Sequence, residues 1–427
     1  MTAPAASAPD FWSEAGRRFR RFTGSPAWQF SVDLYPVLAA ASLPWSTSAV
    51  LVFMSLWFIA LIPTIEPAGF FRALRAPSSL APIALFGLAV VGMLWADGAW
   101  RASLLGLGPV AKLLVLPFLL YRFERSSRAH WVFWAFLISC SLLLVCSWII
   151  FFVPAWQLNA AHGFDTTGVP VRNAIDQNQE FVLCALGLAA AAVAAFRKAQ
   201  PLAAVALGVL AAAFLCNVFF VALSRTSLVY IVPMALLFAA MHFDRRTTLL
   251  AAAAIAVAAM LVWAGSPYLR SRVEHIAIEY REYQETNRPT STGQRLHYWT
   301  QSLGWIRQAP VIGHGTGSAK QLFDKAAEGQ PGAWGESIGN PHNQTLYVAI
   351  QWGLLGCIVL YAMWFVHYRL FRKPGVVAWI GLAIVLQNVF SSMLNSHLFD
   401  FHEGWLYVLG VGVAGGVLRR PIRGGDG

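Results

Sequence analysis

The sequence predicts an all-α integral membrane protein with about twelve transmembrane helices, and three observations carry that prediction. The chain is 57% hydrophobic and only 12% charged, against roughly 45–50% and about 25% for soluble domains. Its apolar residues gather in runs of about 20, the length that crosses the hydrocarbon core of a bilayer. Its Lys and Arg recur in short clusters that alternate along the chain, the pattern that orients membrane helices. So much apolar surface exceeds what one soluble core buries, and lipid is the solvent it requires.

Spans are expected near 28–45, 47–65, 79–96, 103–121, 131–154, 178–196, 201–223, 227–243, 247–265, 343–366, 376–394 and 404–418. Asp33 and Pro36 interrupt the first, and the fourth contains Lys112. With both termini cytoplasmic, the inside segments hold Arg17, Arg18, Arg20 and Arg21; Arg72 and Arg75; Arg122, Arg125 and Arg128; Arg197 and Lys198; Arg245 and Arg246; Arg369, Arg372 and Lys373; and Arg419, Arg420 and Arg423. The short outside loops hold only Arg101, Arg172 and Arg225. One missed span would invert this pattern downstream, which sets the expected number at twelve. The first apolar run begins near Trp28 and lacks an A-x-A-like exit, so no cleavable signal peptide is expected.

Residues 1–427 read as a single polytopic membrane domain. Within it, 266–341 is one large outside loop region, too polar to span. Leu269, Val273, Ile276, Tyr280 and Tyr283 repeat at helical spacing, as do Leu296, Trp299, Leu303 and Ile306. Both stripes predict amphipathic helices lying over the membrane domain or in its interface. Gly313-His314-Gly315-Thr316-Gly317 forms a turn after Pro310, a short helix follows near 318–328, and a Gly/Pro-rich stretch runs through Gly339.

The net charge of +11 is distributed as topology and not as one basic face, which argues against a nucleic-acid partner. The 18 Trp and 29 Phe suit interfacial belts. Cys140, Cys146, Cys184, Cys216 and Cys357 all lie in apolar runs, so they read as packing residues with no disulfide or metal role.

Charged groups at membrane depth are costly, so each one present calls for a reason. Arg225, between Ser224 and Thr226, is the polar break between two apolar runs. It reads either as an interfacial snorkelling arginine or as a cation aimed into an outward cavity. The flanking hydroxyls of Ser224 and Thr226 favour the second, because they share phosphate contacts readily. Lys112 is either paired with a buried carboxylate or carbonyl or is a second anion ligand. Arg288 and Arg295 flank the turn Pro289-Thr290-Ser291-Thr292-Gly293, and a loop arginine such as Arg288 is ordinarily solvated.

Asn340-Pro341-His342-Asn343 opens the tenth span with good capping residues. The free amides and dipole of that helix end would favour a diphosphate. His342 in the first turn reads as a capping residue or as a base able to take a hydroxyl proton near pH 7. The last outside loop, Asn395 to Glu403, holds His397, Asp400, His402 and Glu403. Ordinary loop polarity, a metal site and support of a basic group or acceptor are the readings for it; no specific metal signature is matched. His314 reads as structural. Asp165, Arg172 and Asp176 lie in another outside loop, and Asp176-Gln177-Asn178-Gln179-Glu180 either caps the sixth span or lines the cavity.

In order, Ser-Arg-Thr, then Gly-Gln-Arg-x-x-x-Trp, Gly-x-Gly-x-Gly, Pro-His-Asn-x-x-Leu and Asn-Ser-His-Leu-x-Asp resemble the O-antigen ligase and polymerase superfamily of bacterial envelope glycosyltransferases, most strongly over roughly 220–405. The resemblance implies a multi-pass enzyme of the bacterial inner membrane with its active site facing the periplasm. Its donor would be a glycan on undecaprenyl diphosphate and its acceptor a lipid A–core sugar, or for a polymerase another lipid-linked repeat. It implies neither metal nor other cofactor. Arg225 and Arg295 match the functional arginines and would hold the departing diphosphate; His342 matches the motif histidine and would act as base in an inverting displacement. Ser224, Thr226, Lys112, Arg288, Asn343, His397 and Asp400 are carried over as substrate-binding or supporting groups. The ligase is preferred over the polymerase, because Pro-His-Asn-x-x-Leu and the single large loop suit it; no clear double-Arg motif of the kind expected of a polymerase is present. A transporter or lipid flippase is the reading from another class, but no internal repeat or paired broken helices support it.

Overall fold

A computed structural model describes residues 16, 18–19, 21–98, 100–156, 168–222 and 224–420, and among these residues no strand occurs. The first helices are Pro26–Ser42 (α1), Thr47–Leu61 (α2), Pro67–Leu74 (α3) and Pro77–Val91 (α4). Trp100–Ala111 (α5), Val115–Arg125 (α6), Ala129–Phe152 (α7), Ala174–Arg197 (α8) and Pro201–Phe220 (α9) follow. Arg225–His242 (α10) and Arg245–Gly265 (α11) lead into Pro267–Thr286 (α12), Ser291–Gln308 (α13) and Ser318–Ala327 (α14). Gln344–Phe371 (α15), Val376–Ser391 (α16) and Phe401–Leu418 (α17) complete the chain.

All twelve apolar runs are helical. By length and composition ten helices among the described residues suffice to cross a membrane, with α5 and α6 joined as one rod. The other two runs are α1, with 17 residues, and α16, with 16. In α1 the hydropathy is lowered by Asp33, which is buried and not lipid-facing: Arg122 Nε donates to it at 2.8 Å and Arg128 Nη1 at 3.1 Å. Arg17, Arg20 and Arg423 of the charge pattern lie outside the described residues.

The core centres on α17, which is buried along most of its length between α6, α16 and α8. By contrast α11 has no buried residue and stands at the rim beside α10 and α12. A cleft of about 260 Å³ has apolar walls that include Leu137, Leu188, Ile380 and Leu409. It begins at His130 and Val376, the ends of α7 and α16 opposite the 266–341 region. Its lining includes none of Arg225, Arg295, His342 and His397.

Two breaks in the rods shape the end that carries α12, α13 and α14. The first is a tight turn at Lys112–Leu114 between α5 and α6. The second is inside α15, where Gly353 takes φ 58° and ψ −152°. A helix broken at membrane depth exposes backbone groups that need partners, and the Gly-rich turn supplies them. His314 N donates to Ile350 O at 2.9 Å and Gly315 N to Gln351 O at 2.8 Å, while Leu354 N donates to Pro310 O at 2.8 Å. A Cβ at Gly353 would lie 2.4 Å from the Val311 carbonyl carbon, so the approach itself requires glycine. The Gly-x-Gly-x-Gly run is thus a splint for α15. His314 belongs to it, its Nε2 lying 2.9 Å from Trp305 O.

The two stripes of 266–341 form α12 and α13, which pack on each other. Ser266 ends α11 and caps α12, its hydroxyl accepting from Leu269 N at 3.1 Å. Thr290 caps α13 in the same way, accepting from Gly293 N at 3.1 Å.

Candidate active site

Ser224 caps α10, accepting from Ser227 N at 3.3 Å, and so sets Arg225 at the first turn of that helix. Arg225 does not point at open cavity with its terminal nitrogens. Its Nη1 and Nη2 donate to Glu279 Oε2 and Oε1 at 2.6 and 2.7 Å. Glu279 Oε2 also accepts from Thr292 N at 3.0 Å and Thr292 Oγ1 at 2.6 Å. One carboxylate thereby ties α10, α12 and α13 together. Burial alone would raise the Glu279 pKa. The hydrogen bonds from Arg225 and Thr292, with the Arg225 charge, outweigh burial and hold it at about 2. Thr226 is buried beside Arg225.

Arg295 lies one turn further along α13 from Thr292. It is half-buried, and among the described residues its guanidinium has no hydrogen-bond or ion-pair partner. Burial lowers its pKa, and the Arg225 charge adds to this, against Glu279. A guanidinium so placed still stays protonated at neutral pH. Its charge is felt at both His342 and His397.

His342 sits between Asn340 and Asn343 at the mouth of α15. Asn343 caps the helix by accepting from Leu346 N at 3.0 Å, and its Nδ2 donates to Met393 O at 2.9 Å. His342 takes φ 52°, a left-handed conformation that costs a non-glycine residue roughly 1–3 kcal/mol. The surroundings hold it there: its N–H donates to Asn340 Oδ1 at 2.9 Å, and Ser396 Oγ donates to the same oxygen at 3.2 Å. The ring is fixed by Asn395, whose Oδ1 lies 2.9 Å from His342 Nδ1. An amide oxygen only accepts, so Nδ1 carries the hydrogen and Nε2 keeps the lone pair. Burial lowers the His342 pKa and the Arg295 charge lowers it further, against the opposing bond to Asn395. The imidazole is therefore neutral at pH 7.

The loop from Ser392 to Asp400 backs this arrangement. His397 is fully buried, with Gln179 Nε2 3.0 Å from its Nδ1. Burial, then the Arg295 and His342 charges, push its pKa down to about 3. Its 3.5 Å contact with Glu403 is accordingly made by a neutral ring. Lys112 donates to Phe399 O at 2.8 Å and to Asp400 O, so its ammonium pins this loop to the α5–α6 break. Burial, reinforced by Asp176 and opposed by Lys112, raises the Asp400 carboxyl.

His397, Asp400 and Glu403 bring ligand atoms within 4.8 Å of one another, a grouping able in principle to hold a metal ion. The Lys112 ammonium is a neighbouring positive charge that works against a divalent cation there. Arg288 stands apart from all of this: its side chain is 70% exposed and lies 3.6 Å from Glu282. Asn173 caps α8, and Asp176 to Glu180 are buried inside it. Glu180 Oε1 lies 3.0 Å from His402 Nε2, and Arg172, Asp176, Gln177, Glu180 and His402 line a small cleft of about 10 Å³, so these residues both knit helices and border a cavity. Asp165 lies outside the described residues.

The fold therefore brings Arg225, Arg295, His342 and His397 into one electrostatic group, with Asn343, Lys112 and Asp400 behind it. Two residues that hold this group, Glu279 on Arg225 and Asn395 on His342, were not singled out from sequence. Glu279 is one of several charged residues on an amphipathic helix, and nothing local distinguishes it. Asn395 stands in a motif already noted, but its partner is more than 50 positions away.

Residues 210–361 match the family model described as O-antigen ligase. The matched stretch contains Arg225, Glu279, Arg295 and His342 and ends before Asn395 and His397. The match supports the O-antigen ligase superfamily for this chain. No curated protein matches it. Together with the ten apolar helices, the match suggests a multi-pass bacterial membrane protein of lipopolysaccharide biosynthesis, with lipid-linked glycan and membrane lipid as partners.

Proposed function

We propose that this chain is an O-antigen ligase. It moves a glycan from undecaprenyl diphosphate to a lipid A–core oligosaccharide at the periplasmic face of the bacterial inner membrane. The observation that carries this reading is the neutral His342, held by Asn395 with Nε2 free, beside the guanidinium of Arg295, which has no partner among the described residues.

In the reaction the acceptor hydroxyl attacks the anomeric carbon of the donor, and His342 Nε2 takes the hydroxyl proton. The bond from that carbon to the diphosphate oxygen breaks, and its electron pair leaves on the diphosphate. Arg295, with Arg225, meets the charge that grows there. Attack opposite the leaving group inverts the anomeric configuration. The positive charge in this scheme comes from guanidinium groups, so no metal is called on. Arg288 has no part in it, and Lys112 acts by holding the 396–400 loop.

The test uses purified protein, lipid-linked glycan and lipid A–core, with and without a chelator. Glycan on lipid A–core, unaffected by chelation, is the expected product. Lengthened lipid-linked glycan without any transfer to lipid A–core would instead mark a polymerase. Movement of lipid across the bilayer with no new glycosidic bond would mark a transporter. Loss of transfer on chelation would return His397, Asp400 and Glu403 to a metal role.

A further inference from the structure

We propose that Glu279 is a positioning residue of this reaction: it presets the Arg225 guanidinium so that a second, unused edge of it faces the departing diphosphate. The inference rests on the function proposed above and on the geometry of one side chain.

A guanidinium has five N–H groups on three nitrogens. Glu279 takes one from Nη1 and one from Nη2, through contacts of 2.6 and 2.7 Å. Thr292 Oγ1 lies 3.3 Å from Nη1 as a further acceptor. The Nε–H and the remaining Nη2–H make no hydrogen bond among the described residues. They form a second fork along the side of the group, the two-pronged shape that suits a phosphate. Arg225 thus serves both partners at once, and Glu279 need not leave when the donor binds.

Glu279 is itself rigidly placed. Thr292 donates to it from backbone and hydroxyl, and Thr290 Oγ1 donates to its main-chain oxygen at 3.1 Å. Both threonines sit at the start of α13, and Arg295 follows one turn later. The carboxylate therefore fixes Arg225 relative to Arg295. It also offsets the repulsion between the two cations, each within the other's electrostatic reach.

Two opposite roles are separable by kinetics. If Glu279 were a competitor for Arg225, removing it would speed transfer. If it positions Arg225, removing it leaves a more positive but misaligned site. Donor binding is then kept while turnover suffers, since misplacement of a catalytic group costs rate steeply.

The experiment measures kcat and donor KM for glycan transfer by detergent-purified wild type, Glu279→Gln, Glu279→Asp and Thr292→Ala, with thermal melts of each. Expected for Glu279→Gln is a kcat lowered roughly 10- to 100-fold, with donor KM unchanged or lower and a melt near that of wild type. Thr292→Ala shows the same pattern more weakly, and Glu279→Asp recovers part of kcat. An unchanged or raised kcat in Glu279→Gln overturns the proposal, as does a kcat loss that disappears once rates are corrected for folded protein. Inactive wild type under these conditions would count against the functional reading instead, and binding of inorganic diphosphate then still tests the placement of Arg225: binding kept in Glu279→Gln but weakened in Arg225→Ala is expected, and binding unchanged in Arg225→Ala would overturn the proposal.

Discussion

His342 Nδ1 lies 2.9 Å from the side-chain oxygen of Asn395, a residue brought from the far side of α16. The bond makes one imidazole nitrogen a donor and leaves the other a base. Asn395→Ala should therefore lower kcat about tenfold or more while leaving donor KM near its wild-type value, because it frees the ring to adopt the wrong tautomer. Steady-state kinetics check this; a purely KM effect would speak for a binding role of the loop.

The pH dependence follows from the same group. Burial and Arg295 both depress the His342 pKa below its ordinary value of 6.5. Transfer should fall only as pH drops through that lowered pKa, because protonation removes the base. Replacing Arg295 by Gln removes a cation that disfavours imidazolium, so the acid limb should move to higher pH. The same variant should lose about 10²–10³ in kcat from leaving-group stabilisation. A rate–pH profile for wild type and Arg295→Gln, with an unshifted limb, would disconnect the two residues.

Arg295→Lys keeps the charge and loses the planar fork. A site that meets diphosphate through paired N–H groups should not accept it. Rates within threefold of wild type would reduce Arg295 to a point charge.

Lys112 has a different expectation. Its ammonium satisfies the carbonyls of Phe399 and Asp400 inside the protein. Lys112→Met leaves both buried acceptors without it, at about 1–3 kcal/mol each. The variant should melt earlier and lose activity in proportion to folded protein. A specific fall in donor affinity with an unchanged melt would instead make Lys112 an anion ligand.

Much of this was legible in the sequence and some was not, for physical reasons. Apolar run length located every helix long and apolar enough to cross a membrane among the described residues, because lipid imposes the same demand on each. Run length was less decisive for α1, where Asp33 turns inward to Arg122 and Arg128; hydropathy registers polarity but not the direction a side chain faces. The Gly-x-Gly-x-Gly turn was visible as a turn, but its use in splinting α15 at Gly353 depends on contacts between distant segments. His342 and Arg295 stand out in the sequence because their motifs are local. Glu279 and Asn395 act through partners 54 and 53 positions away, and only the fold supplies those. Arg288 shows the converse: it stands close to Arg295 in sequence, yet α13 carries the two apart.

The most direct test of the account is glycan transfer from undecaprenyl diphosphate to lipid A–core by purified wild type and His342→Ala, compared at equal folded concentration. The account predicts transfer by the wild type and a loss of about 10²–10⁴-fold in the variant, with its melt retained. Transfer by His342→Ala at the wild-type rate would contradict it.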